Sequence, residues 1–297
     1  MRNTSLIELS QSALANNFAY LRSKLKPGVV LSHVVKGNAY GHGIEQFVPM
    51  AVAEGARHFS VFDAHEAFLL YHCQNEPIDI LIMGMIGDEQ LEWVIEKGVQ
   101  FYVFEESRLW RSIATAKKMG TKARIHVELE TGMNRTGFER KDWSRVMEII
   151  ARHQQHLILE GLCTHFAGAE SIANHIRVRK QLKNFRKGAK LFHTAEIEAK
   201  SLHTACSAAF IRFPGTHFDM VRVGIMQYGF WPSQETYIAT EGVRVNPEEP
   251  LQRVISWRSR VMNVKRVRKG EYIGYGTSYL ASQEMTIATV PIGYSHG

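Results

Sequence analysis

The 297-residue chain has no long apolar run, few cysteines and no metal-ligand spacing. Its longest apolar stretch, 80–87, is far too short to cross a bilayer, and the opening Arg2-Asn3-Thr4 lacks the apolar region of a secretory signal. Cys73, Cys163 and Cys206 are odd in number, widely spaced and without a CxxC pair, which argues against both a disulfide framework and a zinc site. Histidines such as His42 and His203 read as structural, and no metal is expected. The chain therefore reads as soluble and cytoplasmic, with no membrane partner. A net charge of +7 is modest and spread out; the basic runs 177–190 and 265–269 read as solvated faces, because no nucleic-acid motif accompanies them.

What is present is ordinary in bulk and informative in order. A composition 45% hydrophobic and 22% charged suits one large domain or two smaller ones. Strand-like runs fall near 29–36, 58–63, 79–83, 100–104, 123–129, 157–165, 200–205 and 218–223, with amphipathic stretches between them. In 88–97, for example, Leu91, Val94 and Ile95 share a face, Asp88 can cap the start and Gly98 can end the helix. Eight such repeats predict an α/β fold, a (β/α)8 barrel rather than an open doubly wound sheet. Pro49 interrupts the second helix, which is expected to begin there.

Two segments lie outside the repeat. One is a strand-like stub at 4–9, before a helix opened by Ser10. The other follows a Pro-containing linker, 231–250, where β-rich runs 254–264, 272–279 and 285–291 succeed one another without a helix. The expected organisation is a cofactor-binding barrel over 10–230 and a mainly antiparallel β domain over 240–297, joined by residues 1–9. With so few strands before Gly297, that second domain reads as cut short.

Barrel enzymes place reactive residues at the C-terminal ends of their strands. In Val34-Val35-Lys36-Gly37-Asn38-Ala39-Tyr40-Gly41-His42-Gly43, a buried strand runs into a lysine and then a tight glycine-rich loop. Partial desolvation there favours the neutral amine and suits Lys36 to form an imine; a lysine snorkelling from a strand end is the plainer alternative. Glu128, Glu130 and Arg135 follow the fifth strand, Cys163-Thr164-His165 ends the sixth, Ser207 follows the seventh, and Arg222 and Gly224 end the eighth. Together they suggest pyridoxal 5'-phosphate, which needs an imine lysine, a partner for its ring nitrogen and donors around its phosphate. Tyr40, Ser207 and the amides near Gly224 and Ile225 are candidate phosphate donors.

These residues resemble the alanine racemases of bacterial cell-wall synthesis. The likeness runs colinearly from the Lys36 segment through Glu130-Thr131-Gly132-Met133-Asn134-Arg135, Cys163-Thr164-His165-Phe166, His203-Thr204-Ala205-Cys206-Ser207, Met220-Val221-Arg222-Val223-Gly224 and Gly274-Tyr275-Gly276-Thr277-Ser278-Tyr279 to Pro291-Ile292-Gly293-Tyr294. The resemblance implies a pyridoxal-phosphate homodimer with shared active sites that interconverts L- and D-alanine. Lys36 would hold the cofactor and serve as the base on the D-enantiomer, and Tyr275, from the partner subunit, as the base on the L-enantiomer. Arg222 would face the ring nitrogen with His165 hydrogen-bonded behind it; Arg135 would meet the cofactor hydroxyl and substrate carboxylate. Glu128 stands where many members carry a carbamylated lysine, and is expected to orient Arg135 by its own charge. Cys206 stands where asparagine is usual, while Glu170, Tyr279 and Tyr294 resemble corridor or strand positions. Serine or broader racemisation, amino-acid decarboxylation and a non-catalytic cofactor carrier are the alternatives; Arg222 and Tyr275 disfavour the decarboxylase, and the second domain disfavours the carrier.

Overall fold

The computed structural model describes residues 4–242 and 249–294. The chain divides into two compact units, Gln11–Val254 and Met1–Ser10 with Ile255–Gly297. After β1 (Ser5–Leu9), the larger unit is a closed parallel barrel of β2 (Val30–Val34), β3 (His58–Val61), β4 (Asp79–Ile82), β5 (Gln100–Val103), β6 (Ala123–Glu128), β7 (Leu157–Cys163), β8 (Ser201–His203) and β9 (Met220–Val223). Closure is direct, since β2 pairs with β9 from Val30↔Met220 to His33↔Val223. The strands are short and nearly wholly buried, as expected where one face fills a barrel and the other lies under helices.

Two helical expectations are corrected. The second helix runs without a break over Ile44–Ala53, passing through Pro49. Proline deletes one backbone hydrogen bond, but Ile44, Phe47, Val48, Ala51 and Val52 all bury on one side, and that packing holds both halves in line. Asp88 begins its helix, Asp88–Glu96, without capping it; Gly87 is the N-cap, and the side chain of Gln90 accepts from the Gly87 amide at 2.8 Å. Gly98, at φ 65, follows that helix in the left-handed conformation that favours glycine.

The 231–250 stretch is only partly a linker, and 243–248 lie outside the described residues. It holds a helix, Gln234–Glu241, capped by Ser233. Residues 249–254 are tied to the barrel unit through Asn17. Its fully buried amide donates to Gln227 O at 3.1 Å and Gln252 O at 2.7 Å, and accepts from Gln252 N at 2.8 Å. Leu251 joins a core cluster with Leu21, Val221 and Met226.

The smaller unit is antiparallel. β1 pairs with β10 (Ile255–Ser259), so the N-terminal stub is a strand of this unit. β11 (Asn263–Val267) pairs with β14 (Met285–Thr289), and β12 (Tyr272–Ile273) with β13 (Tyr279–Leu280). The expected run 254–264 is two strands, divided where the chain leaves one pairing and enters the next.

Asn17→Ala should cost about 2–4 kcal/mol, because it strands buried backbone groups of Gln227 and Gln252 rather than merely removing bonds. Chemical denaturation of the variant checks this; a loss under ~0.5 kcal/mol would mean that the 249–254 segment is not held through this side chain.

Candidate active site

At the C-terminal mouth of the barrel, one cavity of about 370 Å³ is lined by Lys36, Tyr40, Arg135, His165, Cys206, Ser207, Arg222 and Gly224. A larger, shallower depression of about 930 Å³ lies around Lys122, Leu157 and His193, away from all of these residues.

Lys36 does not end its strand, which stops at Val34; it opens a tight turn. Gly37, Asn38, Ala39 and Tyr40 all have positive φ, between 52° and 63°. Three non-glycine residues in this region cost about 1–2 kcal/mol each, so neighbours must hold the turn. Glu66 Oε1 accepts from Asn38 N at 2.9 Å, Val35 O from Ala39 N at 2.7 Å and Asn38 Oδ1 from Ile44 N at 2.9 Å, the last serving as a cap for the next helix. Val34 O is fixed from below by Gln227 Nε2 at 2.7 Å and Tyr228 Oη at 3.0 Å. The turn aims Lys36 into the cavity, where it keeps solvent access while the walls strip part of its hydration. Burial, then the charges of Arg135 and Arg222, push its amine below the usual lysine value, against the pull of Glu66.

Arg222, on β9, is only 3% exposed. Its Nη1 bonds to His203 Nδ1, and its Nη2 donates to Thr164 O at 3.0 Å and Thr204 O at 3.2 Å. The histidine behind Arg222 is therefore His203, not His165. The strands explain this: His203 lies on β8, hydrogen-bonded beside β9, whereas His165 is past the end of β7 and reaches the cavity wall. Burial and then the charges of Arg222, Arg135 and Lys36 drive His165 down to about 3, so it is a neutral wall. Among the described residues no ion pair involves Arg222.

Glu128 ends β6, 3% exposed. Its side chain bonds with Thr136, and no ion pair joins it to Arg135 among the described residues, so any influence of Glu128 on Arg135 acts through space. Burial pushes the Glu128 carboxyl up from the usual range, with Thr136, Arg135 and Arg222 opposing. The residue that shapes the arginine loop is Glu130. Its carboxylate accepts from the amides of Gly132, of Met133 at 2.8 Å and of Asn134 at 2.8 Å, folding the chain back so that Arg135 reaches the cavity. At Gly137, φ 111, a Cβ would stand 2.7 Å from Glu130 N, so only glycine fits.

Residues 9–232 match the alanine racemase N-terminal domain and 254–297 the C-terminal domain of the same family. The chain belongs to the alanine racemase family. The alanine racemase of Leptospira interrogans is 32% identical over 298 residues, 99% of this chain and 74% of that protein. Alanine racemase from Bacillus anthracis with bound L-Ala-P superposes with a TM-score of 0.87 at 30% identity, over 99% of this chain and 74% of that one. Two more distant structures, each 24% identical with a TM-score of 0.83, share the fold over 99% of this chain: alanine racemase from Bartonella henselae with covalently bound pyridoxal phosphate, of which 77% is covered, and a histidine racemase from Leuconostoc mesenteroides.

The alanine racemase family uses pyridoxal phosphate, and the residues here fit such a group. Beside Tyr40, Ser207 Oγ accepts from Gly224 N at 2.9 Å, leaving its own O–H to donate into the cavity. A Cβ on Gly224 would stand 2.5 Å from Tyr40 Oη, so the missing side chain is what lets the phenol reach this corner. Two hydroxyls beside a side-chain-free backbone suit a phosphate. Ile225, expected beside Gly224, does not line the cavity; it packs on the core below. Tyr275 and Tyr294 lie in the smaller unit, 99% and 97% exposed, with Tyr279 also exposed there, and Glu170 is exposed and does not line the cavity. The sequence reading missed Glu130's part in the loop, Thr136 and the His203 contact. The alternation of His203 with Ser201 on one strand face was the available signal for the last.

Gly224→Ala should weaken cofactor binding by about tenfold or more, ~1.4 kcal/mol, with the melting temperature unchanged; cofactor titration by absorbance checks it. Glu128 stabilises the fold while protonated, and that stability is lost as pH rises from the unfolded carboxyl value through the raised folded one. Glu128→Gln should therefore melt higher than the parent at neutral pH and show no such gain at pH values below that window. Paired melting curves with the same Tm difference at both pH values would contradict it.

Proposed function

We propose that the protein is an alanine racemase that interconverts L- and D-alanine, works as a homodimer in the cytoplasm and supplies D-alanine for peptidoglycan. The observation that carries this reading is the joining, in one cavity, of a lysine with lowered basicity, the Tyr40–Ser207–Gly224 cradle and a buried arginine that no described carboxylate pairs with. When bound, pyridoxal phosphate supplies an aldehyde carbon for amine attachment and a conjugated ring that takes up the electron pair left by a departing α-proton.

The chain's own residues decide the rest. Lys36 Nζ attaches the cofactor and moves a proton on one face of the substrate. Tyr275 Oη of the partner subunit moves one on the opposite face, as inversion at a single carbon requires. Arg135 binds the substrate carboxylate by its guanidinium fork. Arg222 would meet the ring nitrogen, where its fixed positive charge would discourage protonation and make the ring a weaker electron sink. A decarboxylase would call for a carboxylate at that position. The neighbouring histidine racemase shares the fold, so the choice of alanine rests on the cavity walls, which include Tyr102, Met83 and Phe104.

In deuterated water, NMR should show α-proton exchange from both alanine enantiomers. Tyr275→Phe should slow exchange from L-alanine by about 100-fold or more, the scale of one lost proton-transfer group. A cofactor-loaded protein that exchanges neither enantiomer would overturn the reading.

A further inference from the structure

The barrel bore contains a continuous polar chain that the proposed chemistry does not use directly. From Arg222 it passes to His203; His203 Nε2 meets His126 Nδ1 at 2.8 Å, His126 Nε2 meets Gln100 Oε1 at 2.7 Å, and Gln100 Nε2 donates to Asp79 Oδ1 at 2.7 Å. His203, His126 and Gln100 are all buried, whereas Asp79 is half-exposed where β4 begins, at the opposite end of the barrel. There Arg124 pairs with Asp79 at 3.1 Å and with Glu160 at 2.7 Å, and Lys200 pairs with Glu160 at 3.1 Å.

Only one arrangement of protons satisfies every bond. Arginine donates and never accepts, so His203 Nδ1 carries the lone pair and its Nε2 the proton. That proton points at His126 Nδ1, which must accept, so His126 also carries its proton on Nε2. Gln100 Oε1 accepts it, and the Gln100 amide then turns its NH2 to the carboxyl oxygen of Asp79. A second proton on His203 would face the Arg222 N–H, and one on His126 would face the His203 N–H. Burial works in the same direction, holding both imidazoles well below the usual histidine value. His58, also beside Gln100, is pushed by burial to about 4 and stays neutral.

The bore is shaped for this pair of rings. A Cβ at Gly161 would stand 2.1 Å from His126 Nδ1 and 2.9 Å from His203 Nε2, directly at their bond. Glycine is required there by the close approach of the rings, since its backbone angles are not of the left-handed kind.

We propose that Gln100 and Asp79 are positioning residues for Arg222: by ending the chain on a carboxylate they lock His126 and His203 as neutral Nε2–H tautomers, so that His203 offers a lone pair and holds the guanidinium without diminishing its charge. The effect on turnover rests on the function proposed above; the tautomers do not.

Long-range 1H–15N NMR of the 15N-histidine-labelled full chain, read without cofactor, tests this directly. The expected result is one protonated Nε2 and one bare Nδ1 in each of His126 and His203. An imidazolium or an Nδ1–H tautomer at either ring overturns the proposal, whatever the enzyme does. Gln100→Glu supplies the second arm, because a carboxylate there cannot donate to Asp79 and draws a further proton onto His126. It should change both ring signatures and lower kcat by about tenfold, the effect of one misplaced hydrogen bond, with KM within about twofold. Unchanged tautomers together with unchanged kcat would also overturn it. Racemisation that fails while the parent tautomers are as expected sinks the functional reading and leaves the chain intact.

Discussion

Arg222 is a permanent positive charge placed where charge is costly, and the organisation of the site follows from how it is held. Its contacts are an imidazole and two backbone carbonyls, neutral acceptors that satisfy its N–H groups without cancelling its field. That field helps keep His165 neutral and Lys36 less basic, and it favours the charged form of Glu128 against the effect of burial. A carboxylate in place of His203 would stabilise the guanidinium more and remove the influence that the cavity depends on.

The barrel supplies the rigidity for this arrangement, and acidic side chains supply the loops. Glu66 holds the left-handed turn that aims Lys36, and Glu130 folds the loop that delivers Arg135. Both side chains spend their carboxyl oxygens on backbone amides, and among the described residues neither forms an ion pair with Arg135 or Arg222. The strain of Asn38, Ala39 and Tyr40 is thereby held beside the site instead of relaxing into an ordinary helix.

Much of the barrel was legible because burial on both faces writes strands as short apolar runs, and all eight runs correspond to barrel strands. Pro49 misled because a local rule about helix starts was weaker than the packing of five buried side chains. The helix Gln234–Glu241 escaped notice because its composition is polar and it buries little beyond Thr236. Site residues at strand ends could be named from order alone, and seven of those named line one cavity. Their partners could not be. Whether His165 or His203 stands behind Arg222 depends on which strand neighbours β9 and which face a residue takes, and Glu128 meets Thr136 only once the loop has folded.

We propose that the buried charge of Arg222 discourages protonation of the cofactor ring nitrogen. The most direct measurement is the 15N chemical shift of ring-labelled pyridoxal phosphate bound to the protein at neutral pH. An unprotonated ring nitrogen in the parent, becoming protonated in Arg222→Glu, is the predicted result. A ring nitrogen already protonated in the parent would contradict the account.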